Sequence, residues 1–437
     1  MSPSDPRCGN TQLANTHKAI ETVWRMESVR LIAGLARLVR DIGVAEELAQ
    51  DALVAALEQW PDAGIPRNPG AWLMASAKHR AIDHLRRMKT RDRKHSEIGY
   101  ELEALEKVMP DPADLVTDEG HLDDDLLRLM FTACHPVLSP EARVALTLRL
   151  LGGLTTEEIA RGFLLAEATV AQRIVRAKRT LAEERIPFEA PRGADRDSRL
   201  ASVLEVIYLI FNEGYAASSG EDWIRPALCE EALRLVRILA ELAPREPEVH
   251  GLAALMEIQA SRLKARTNPA GEPILLLDQN RAQWDRVLIA RGLAALDHGE
   301  RLSDSRGPYL LQAAIAAGHA RARSADETNW ALIASLYTEL AAVVPSPVVE
   351  LGRAVAFGMA FGPAAGLEIA DGLLADPVLK NYHRLPSVRA DLLFKLNRRA
   401  EALIEFERAA ALAANAQERE LLLDRAAACR KNGGVDE

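Results

Sequence analysis

Several features are scarce in this chain of 437 residues, and each scarcity excludes a class of protein. The four cysteines, Cys8, Cys134, Cys229 and Cys429, are scattered and form no CxxC pair, so we expect neither a disulfide framework nor a zinc site. No run of about 18 apolar residues occurs, so we expect no membrane span. The first residues, MSPSDPRCGNTQ, lack the apolar core of an export signal. A reduced cytoplasm is therefore the expected location.

Signs of catalysis are equally scarce. The sequence contains no Walker loop and no GxGxxG segment. Cys134 and His135 are adjacent, and adjacent residues do not share a helix face, so this pair is a poor candidate for a nucleophile and its base. Glu46-Glu47 and Asp123-Asp124-Asp125 are better explained as a partner-facing helix and a linker than as metal ligands. We expect no enzyme activity, no cofactor and no metal.

Strand-like alternation is nearly absent, whereas apolar residues recur at spacings of three and four almost throughout, which predicts an all-α fold. Clusters of Pro, Gly and charged residues divide the chain. The predicted parts are a helical domain at 18–95, an acidic linker at 96–125, a second helical domain at 126–187 and a helical remainder at 198–432. The net charge is -9, so any binding to nucleic acid must come from local basic patches.

The most informative basic patch is a single predicted helix. Residues 69–87, PGAWLMASAKHRAIDHLRR, follow a Pro- and Gly-rich loop at 61–69 and combine an apolar stripe with a cationic face. Such a helix can dock on a small core and present cations to phosphates, and each phosphate contact releases condensed counterions. A solvated surface helix would show the same pattern, and Trp72 fits a core position as well as a base-stacking one.

A second pattern predicts a helix-turn-helix at 153–181. Thr155 and Glu158 have the spacing of a capping box, which starts a helix, and a short turn is expected at 164–166. The following helix has apolar residues on one face and polar and cationic residues on another. In helix-turn-helix proteins the second helix enters the major groove, where Arg reads guanine and Gln reads adenine. An ordinary helical hairpin is the alternative.

In this order the two patterns resemble the extracytoplasmic-function (ECF) sigma factors of bacterial RNA polymerase, over about residues 20–184. The resemblance implies that 45–53, AEELAQDAL, binds the clamp helices of the polymerase largest subunit, and that the second domain meets the polymerase flap. It also implies that 69–87 melts and reads the -10 element (region 2 of the family), and that 154–181 reads the -35 element (region 4).

The resemblance is carried over residue by residue. The side chains implied for polymerase binding are Glu46, Glu47, Gln50, Asp51 and Leu53. Those implied for the -10 element are Trp72, Lys78, His79, Arg80, Arg86 and Arg87. Those implied for the -35 element are Thr169, Gln172, Arg173, Arg176 and Arg179. Promoter DNA and core RNA polymerase are thus the expected partners.

Some positions depart from the family pattern. Lys78-His79 stands where members usually carry Arg-Asn, so the -10 preference is expected to differ. Leu164 replaces the common turn Gly, and a left-handed non-Gly residue costs about 1–2 kcal/mol. Ala166 replaces the usual Ser cap, a loss of roughly 1 kcal/mol. Ala171 stands where many members carry Lys, which removes one phosphate contact.

The rest of the chain resembles the ECF subgroup with a large tetratricopeptide-like C-terminal extension. The segments that carry this resemblance are LRLMFTACHPVLSPEAR (127–143), YLIFNEGY (208–215) and DQNRAQWDR (278–286). The resemblance implies that the extension regulates activity, and it makes the extension a candidate site for a signal protein or ligand. Within 208–215, Asn212 and Glu213 can be either buried hydrogen-bonding groups or ligand contacts.

Two stretches of the extension predict helix pairs. Trp330, Ile333 and Tyr337 fit the opening of a tetratricopeptide repeat, and 390–412 predicts a second pair with its turn at 397–399. Two imperfect matches are weak support for a solenoid, and a bundle without repeats is the alternative.

Two other functions remain open from the sequence alone. A repressor or activator that works without the polymerase would explain 153–181 and 198–432, but it leaves 45–87 unexplained. A tetratricopeptide scaffold with a merely structural N-terminal half is the other. We therefore expect a sigma factor.

Overall fold

The computed structural model describes residues 6–92 and 119–431, in which the regular secondary structure is helical. This confirms the predicted all-α class. Contacts divide the chain into two compact units, Met1–Val206 and Ile207–Glu437. The part of the predicted linker from 96 to 118 lies outside the described residues.

The first unit holds the two N-terminal helical domains. Its helices are α1 (Pro6–Val39), α2 (Ile42–Ala63), α3 (Pro69–Asp92), α4 (Glu119–Ala133), α5 (Pro140–Leu150), α6 (Thr156–Phe163), α7 (Glu167–Glu183) and the first part of α8 (Ala194–Tyr215). Helices α1, α2 and α3 pack on one another, and α4 packs on α1. Helix α7 packs on both α5 and α6.

Local side chains start the helices of the first domain. The carboxylate of Asp41 accepts hydrogen bonds from the backbone N–H of Gly43 at 2.7 Å and of Val44 at 3.0 Å, which caps α2. Pro69 opens α3, where a missing N–H costs nothing, and Asn68 accepts a bond from the Ala71 N–H at 3.1 Å. Helix α2 continues to Ala63, so the loop is shorter than the predicted 61–69.

Helix α4 begins at Glu119, inside the predicted linker. Acidic residues are favourable in the first turns of a helix, so an acidic run does not exclude one. Asp125 is buried in this helix and pairs with Arg37 at 3.4 Å and with Arg128 at 3.1 Å. It is therefore a packing residue that ties α4 to α1.

The boundary predicted at 187–197 contains the start of α8, yet the two units divide further along, within this helix. The Ser202 hydroxyl donates to the Cys134 carbonyl at 2.5 Å. Arg143, which is buried, donates to Glu205 at 2.9 Å. The first part of α8 therefore belongs with α4 and α5, which composition alone could not indicate.

The second unit continues from the last part of α8. Its helices are α9 (Pro226–Leu242), α10 (Pro247–Ala260), α11 (Arg286–Leu302), α12 (Pro308–Arg321), α13 (Trp330–Val343), α14 (Pro347–Phe361), α15 (Pro363–Gly372), α16 (Arg384–Lys395), α17 (Arg399–Leu412) and α18 (Ala416–Lys431). Short 3-10 helices lie at Leu263–Ala265, Arg281–Gln283 and Pro377–Leu379. Most of these helices pack on their neighbours in sequence.

The predicted helix pairs of the extension are present. Helix α13 begins at Trp330, and α16 and α17 meet at a turn in which Asn397 has a φ of 58°. Gly214, in the last turn of α8, permits a close approach, since a Cβ there would lie 2.7 Å from the backbone nitrogen of Cys229. That these helix pairs are tetratricopeptide repeats stays a prediction. No helix in the described ranges has the length and apolar character needed to cross a bilayer.

Candidate nucleic-acid interface

The helix-turn-helix predicted at 153–181 is formed by α6 and α7. The Thr155 hydroxyl accepts a bond from the Glu158 N–H at 3.1 Å, and the Glu158 carboxylate accepts one from the Thr155 N–H at 2.8 Å. These bonds confirm the capping box. Leu164 ends α6 with a φ of 52°, the left-handed conformation for which Gly is the usual residue. Ala166 precedes α7 and offers no side chain for a cap.

Helix α7 has a buried stripe and an exposed face. Its stripe consists of Val170, Ile174, Ala177 and Leu181. Of the predicted -35 residues, Arg173 is half-buried and the other four are exposed: Thr169, Gln172, Arg176 and Arg179. Arg179 pairs with Glu183 at 2.7 Å. The fold thus places Gln and Arg side chains on the helix that enters the major groove in helix-turn-helix proteins.

The predicted -10 residues all lie on α3, whose buried side is formed by Leu73, Ala77 and Ala81. Among these -10 residues, His79, Arg86 and Arg87 are exposed, whereas Trp72, Lys78 and Arg80 are half-buried.

Three of these side chains are partly engaged inside the domain. Burial and the nearby charge of Arg37 lower the pKa of Lys78. Arg80 donates to the backbone carbonyl of Asp51. The Trp72 ring meets Trp60 edge-on, with centroids 5.4 Å apart and planes at 71°. One side of Trp72 therefore packs against the domain while part of the ring is accessible.

The predicted polymerase-binding residues lie along α2. Glu47 and Asp51 are exposed, and Gln50 and Leu53 are half-buried. Glu46 differs, because only 3% of its surface is exposed.

Glu46 lies against two cations of the second domain. Its carboxylate lies 2.7 Å from Arg149 Nε on α5 and contacts the Lys178 ammonium on α7. The amide of Gln50 adds a third bond at 2.8 Å. Sequence reasoning did not identify Arg149 and Lys178, although a single Arg within the apolar run 144–151 is a signal for a buried ion pair.

The environment of Cys134 and His135 does not favour a nucleophile and its base. Cys134 is buried, its Sγ lies 3.3 Å from Thr147 Oγ1, and burial raises the pKa of the thiol to about 12. A thiol held protonated is a poor nucleophile. Burial and the charge of Arg199 lower the pKa of His135 to about 4. Within the described ranges, no three or more His, Cys, Asp or Glu residues cluster as metal ligands would.

Three family models match this chain, and together they cover about half of it. The family model for "Sigma-70 region 2" matches residues 25–91, and that for "Sigma-70, region 4" matches 128–181. A third match, a family of unknown function (DUF6596), covers 199–300.

Relatives of two kinds are found. An uncharacterized protein of Rhizobium meliloti (strain 1021) is 42% identical over 388 residues, which are 89% of this chain and 90% of that protein. The probable ECF RNA polymerase sigma factor SigI of Mycobacterium tuberculosis (strain ATCC 25618 / H37Rv) is 32% identical over 171 residues, 39% of this chain and 57% of that protein. The ECF RNA polymerase sigma factor SigK of Mycobacterium sp. (strain KMS) is 31% identical over 149 residues, 33% of this chain and 72% of that protein.

Both sigma regions therefore occur in the order of the family. Region 2 contains α2 and α3, and region 4 contains the helix-turn-helix of α6 and α7. A long helical part follows them, and the alignment with the Rhizobium protein, which covers 89% of this chain, extends into that part. The chain belongs to the ECF-type sigma-70 factors, in a form with a C-terminal extension, and as a sigma factor it directs transcription initiation.

Proposed function

We propose that the chain binds core RNA polymerase in the cytoplasm, brings it to specific promoters and helps to open the -10 region, and that the extension regulates this activity. The observation that carries the proposal is the exposed face of α7, which presents Gln172 and Arg176 beside a fully buried stripe. It follows a region 2 domain whose helix α3 presents Arg86 and Arg87.

Polymerase binding is assigned to α2, against the clamp helices of the largest subunit. The exposed carboxylates of Glu47 and Asp51 suit a basic partner surface, and the attraction weakens with salt. Gln50 and Leu53 extend the same helix. Glu46 can join this surface only when its contact with Arg149 and Lys178 opens. The second domain would meet the polymerase flap.

Opening of the -10 element is assigned to α3. Lys78, His79, Arg80, Arg86 and Arg87 would meet bases and phosphates. Trp72 would stack on an unpaired base, because extrusion of a base costs a few kcal/mol that aromatic stacking can offset.

Reading of the -35 element is assigned to α7. Arg176 and Gln172 are suited to base edges, and Thr169, Arg173 and Arg179 to phosphates or bases. A bidentate contact from Arg to guanine distinguishes bases by about 1–3 kcal/mol.

Run-off transcription with purified bacterial core polymerase tests the proposal. Promoter-specific transcripts should appear only when the chain is added, and a promoter selection with the same holoenzyme should return a defined -35 and -10 pair. Binding to DNA without any effect on initiation would instead support a repressor or activator that works without the polymerase.

The regulatory role of the extension is tested by a cut after Val206, which keeps Ser202 and Glu205 with Cys134 and Arg143. The shortened chain should bind promoter DNA with core polymerase, yet differ from the full chain in transcription in cells. Equal transcription from both chains would contradict the regulatory role and leave the initiation role intact.

A further inference from the structure

The second unit contains a cavity of about 870 Å³, a size typical of pockets for small organic ligands. Its wall comes from α8, α10, α12, α13, α14 and the segments near 274–279 and 382–388. Aromatic rings supply much of it: Tyr208, Tyr215, Trp223, Tyr337 and Tyr382. Asn212, left open from the sequence, lies in this wall, whereas Glu213 pairs with Arg225.

Two buried arginines line the cavity on either side of the 3-10 helix Leu263–Ala265. Arg262 is 7% exposed and Arg266 is 9% exposed. Arg266 lies over the Tyr215 ring, 3.8 Å from its centroid, and Arg262 lies 5.8 Å from the centroids of Tyr215 and Trp284. Cation–π contacts of this kind are attractive, but they bring no counter-charge.

The charge of these arginines is uncompensated. In the described part of the chain, no carboxylate lies within ion-pair distance of Arg262 or Arg266. A third cation, the exposed Arg384, also lines the cavity, and the only acidic lining residue described is Glu418, which lies 2.9 Å from His383. Burial and the charges of Arg262 and Arg384 outweigh a hydrogen bond with the Tyr215 side chain and lower the pKa of Arg266.

Four buried polar atoms on lining residues also lack a hydrogen-bond partner among the described residues. They are Arg262 Nε, Arg266 Nε, Gln279 Oε1 and His319 Nδ1. Each unsatisfied buried group of this kind destabilises the folded state, and a charged one does so more strongly. Folded proteins leave few such groups without a reason, and several on one cavity wall indicate that something else supplies the partners.

We propose that this cavity binds a small organic anion, which carries a carboxylate or phosphate group on an apolar or aromatic body. The guanidinium groups of Arg262 and Arg266 hold the anionic oxygens, because the planar donor fork of Arg matches both groups. The free oxygen of Gln279 and the neutral imidazole of His319 bond to polar atoms of the ligand, and the aromatic wall covers its body. The binding does not depend on the assigned role in transcription.

Binding of four probes to the full chain tests the proposal: benzoate, phenyl phosphate, inorganic phosphate and the neutral analogue benzamide. Calorimetry and thermal unfolding should show saturable binding of benzoate or phenyl phosphate and none of benzamide. The first two distinguish a carboxylate from a phosphate ligand, and inorganic phosphate shows whether the body is needed. No saturable binding of any anion would overturn the proposal.

Variants locate the site. Arg262→Gln and Arg266→Gln should each weaken probe binding at least about ten-fold, or about 1.4 kcal/mol. Arg398→Gln is the matched control, because Arg398 is exposed, pairs with Glu401 and lies outside the cavity wall. Wild-type affinity in both cavity variants would overturn the proposal.

Thermal unfolding without probe gives a second readout that does not need binding. Arg266→Met removes a buried charge that has no counter-ion, so its unfolding temperature should equal or exceed that of the wild type. A lower temperature would show that Arg266 stabilises the fold itself and would count against a ligand role. All these measurements use the chain without polymerase or DNA, so their failure is separate from any failure of the initiation role.

Discussion

Arg176 lies on the exposed face of α7, one turn beyond Gln172, with no assigned role in the packing of its domain. Arg176→Ala should therefore leave the fold intact and weaken -35 binding by the holoenzyme by about 1–3 kcal/mol. A gel-shift titration on the selected promoter measures this. Arg161→Ala is the control, since Arg161 is equally exposed but lies on α6 and pairs with Glu157. Equal promoter affinity in the wild type and Arg176→Ala would rule out the assignment.

His319 should make the stability of the second unit depend on pH. Burial and the charges of Arg262 and Arg281 lower its pKa from 6.5 to about 4. Between these values the unfolded chain binds a proton that the folded chain does not, so stability falls as the pH drops from 6.5 towards 4. Below both pKa values, the free energy of unfolding should be lower than at neutral pH by about 3 kcal/mol.

Hydrogen exchange of α12 at several pH values measures this dependence, and His319→Gln should flatten it. His17→Gln is the control for the loss of an imidazole, because His17 is exposed and lies in the first unit. A slope that persists in His319→Gln would mean that another group is responsible.

The elements show what the sequence can and cannot predict. The capping box of Thr155 and Glu158, the turn at 164–166 and the start of α3 at Pro69 were predictable because each depends on neighbours within four residues. The pair of Glu46 and Arg149, 103 residues apart, was not, because it depends on how two helical domains pack. The burial of Arg262 and Arg266 likewise depends on tertiary packing. Apolar periodicity predicts which face of a helix is buried, but it does not predict whether a charged side chain has a counter-ion.

The α6–α7 turn should gain stability from a new cap. Ala166→Ser places a hydroxyl at the start of α7, where it can accept a bond from a free N–H, and the gain should be about 1 kcal/mol. Hydrogen exchange in the first turn of α7 should slow by about five-fold. Ala182→Ser, an exposed position in the last turn of the same helix, should have no such effect. Unchanged exchange in Ala166→Ser would mean that the turn geometry does not admit the cap.

At the scale of the first unit, the contact of Glu46 with Lys178 should compete with polymerase. Removal of one partner from a buried ion pair costs up to about 3–5 kcal/mol, so Lys178→Gln should favour the separated domains and raise the affinity for core polymerase. Arg179→Gln is the matched control on the next residue, which is exposed and pairs with Glu183. Binding is measured without DNA. A lower affinity in Lys178→Gln would indicate that Lys178 itself binds polymerase.

The contact between Glu46 and Arg149 joins two domains that residues 93–118 already connect covalently. The covalent connection keeps the two contacting surfaces at an effective concentration on the order of millimolar. A partner that binds the contact surface of one domain alone must therefore displace the other domain. A partner that engages both domains gains from the same connection, because its second binding step is intramolecular. The chain should therefore select large assemblies that hold both domains at once, such as polymerase on promoter DNA, over isolated polymerase fragments or DNA alone.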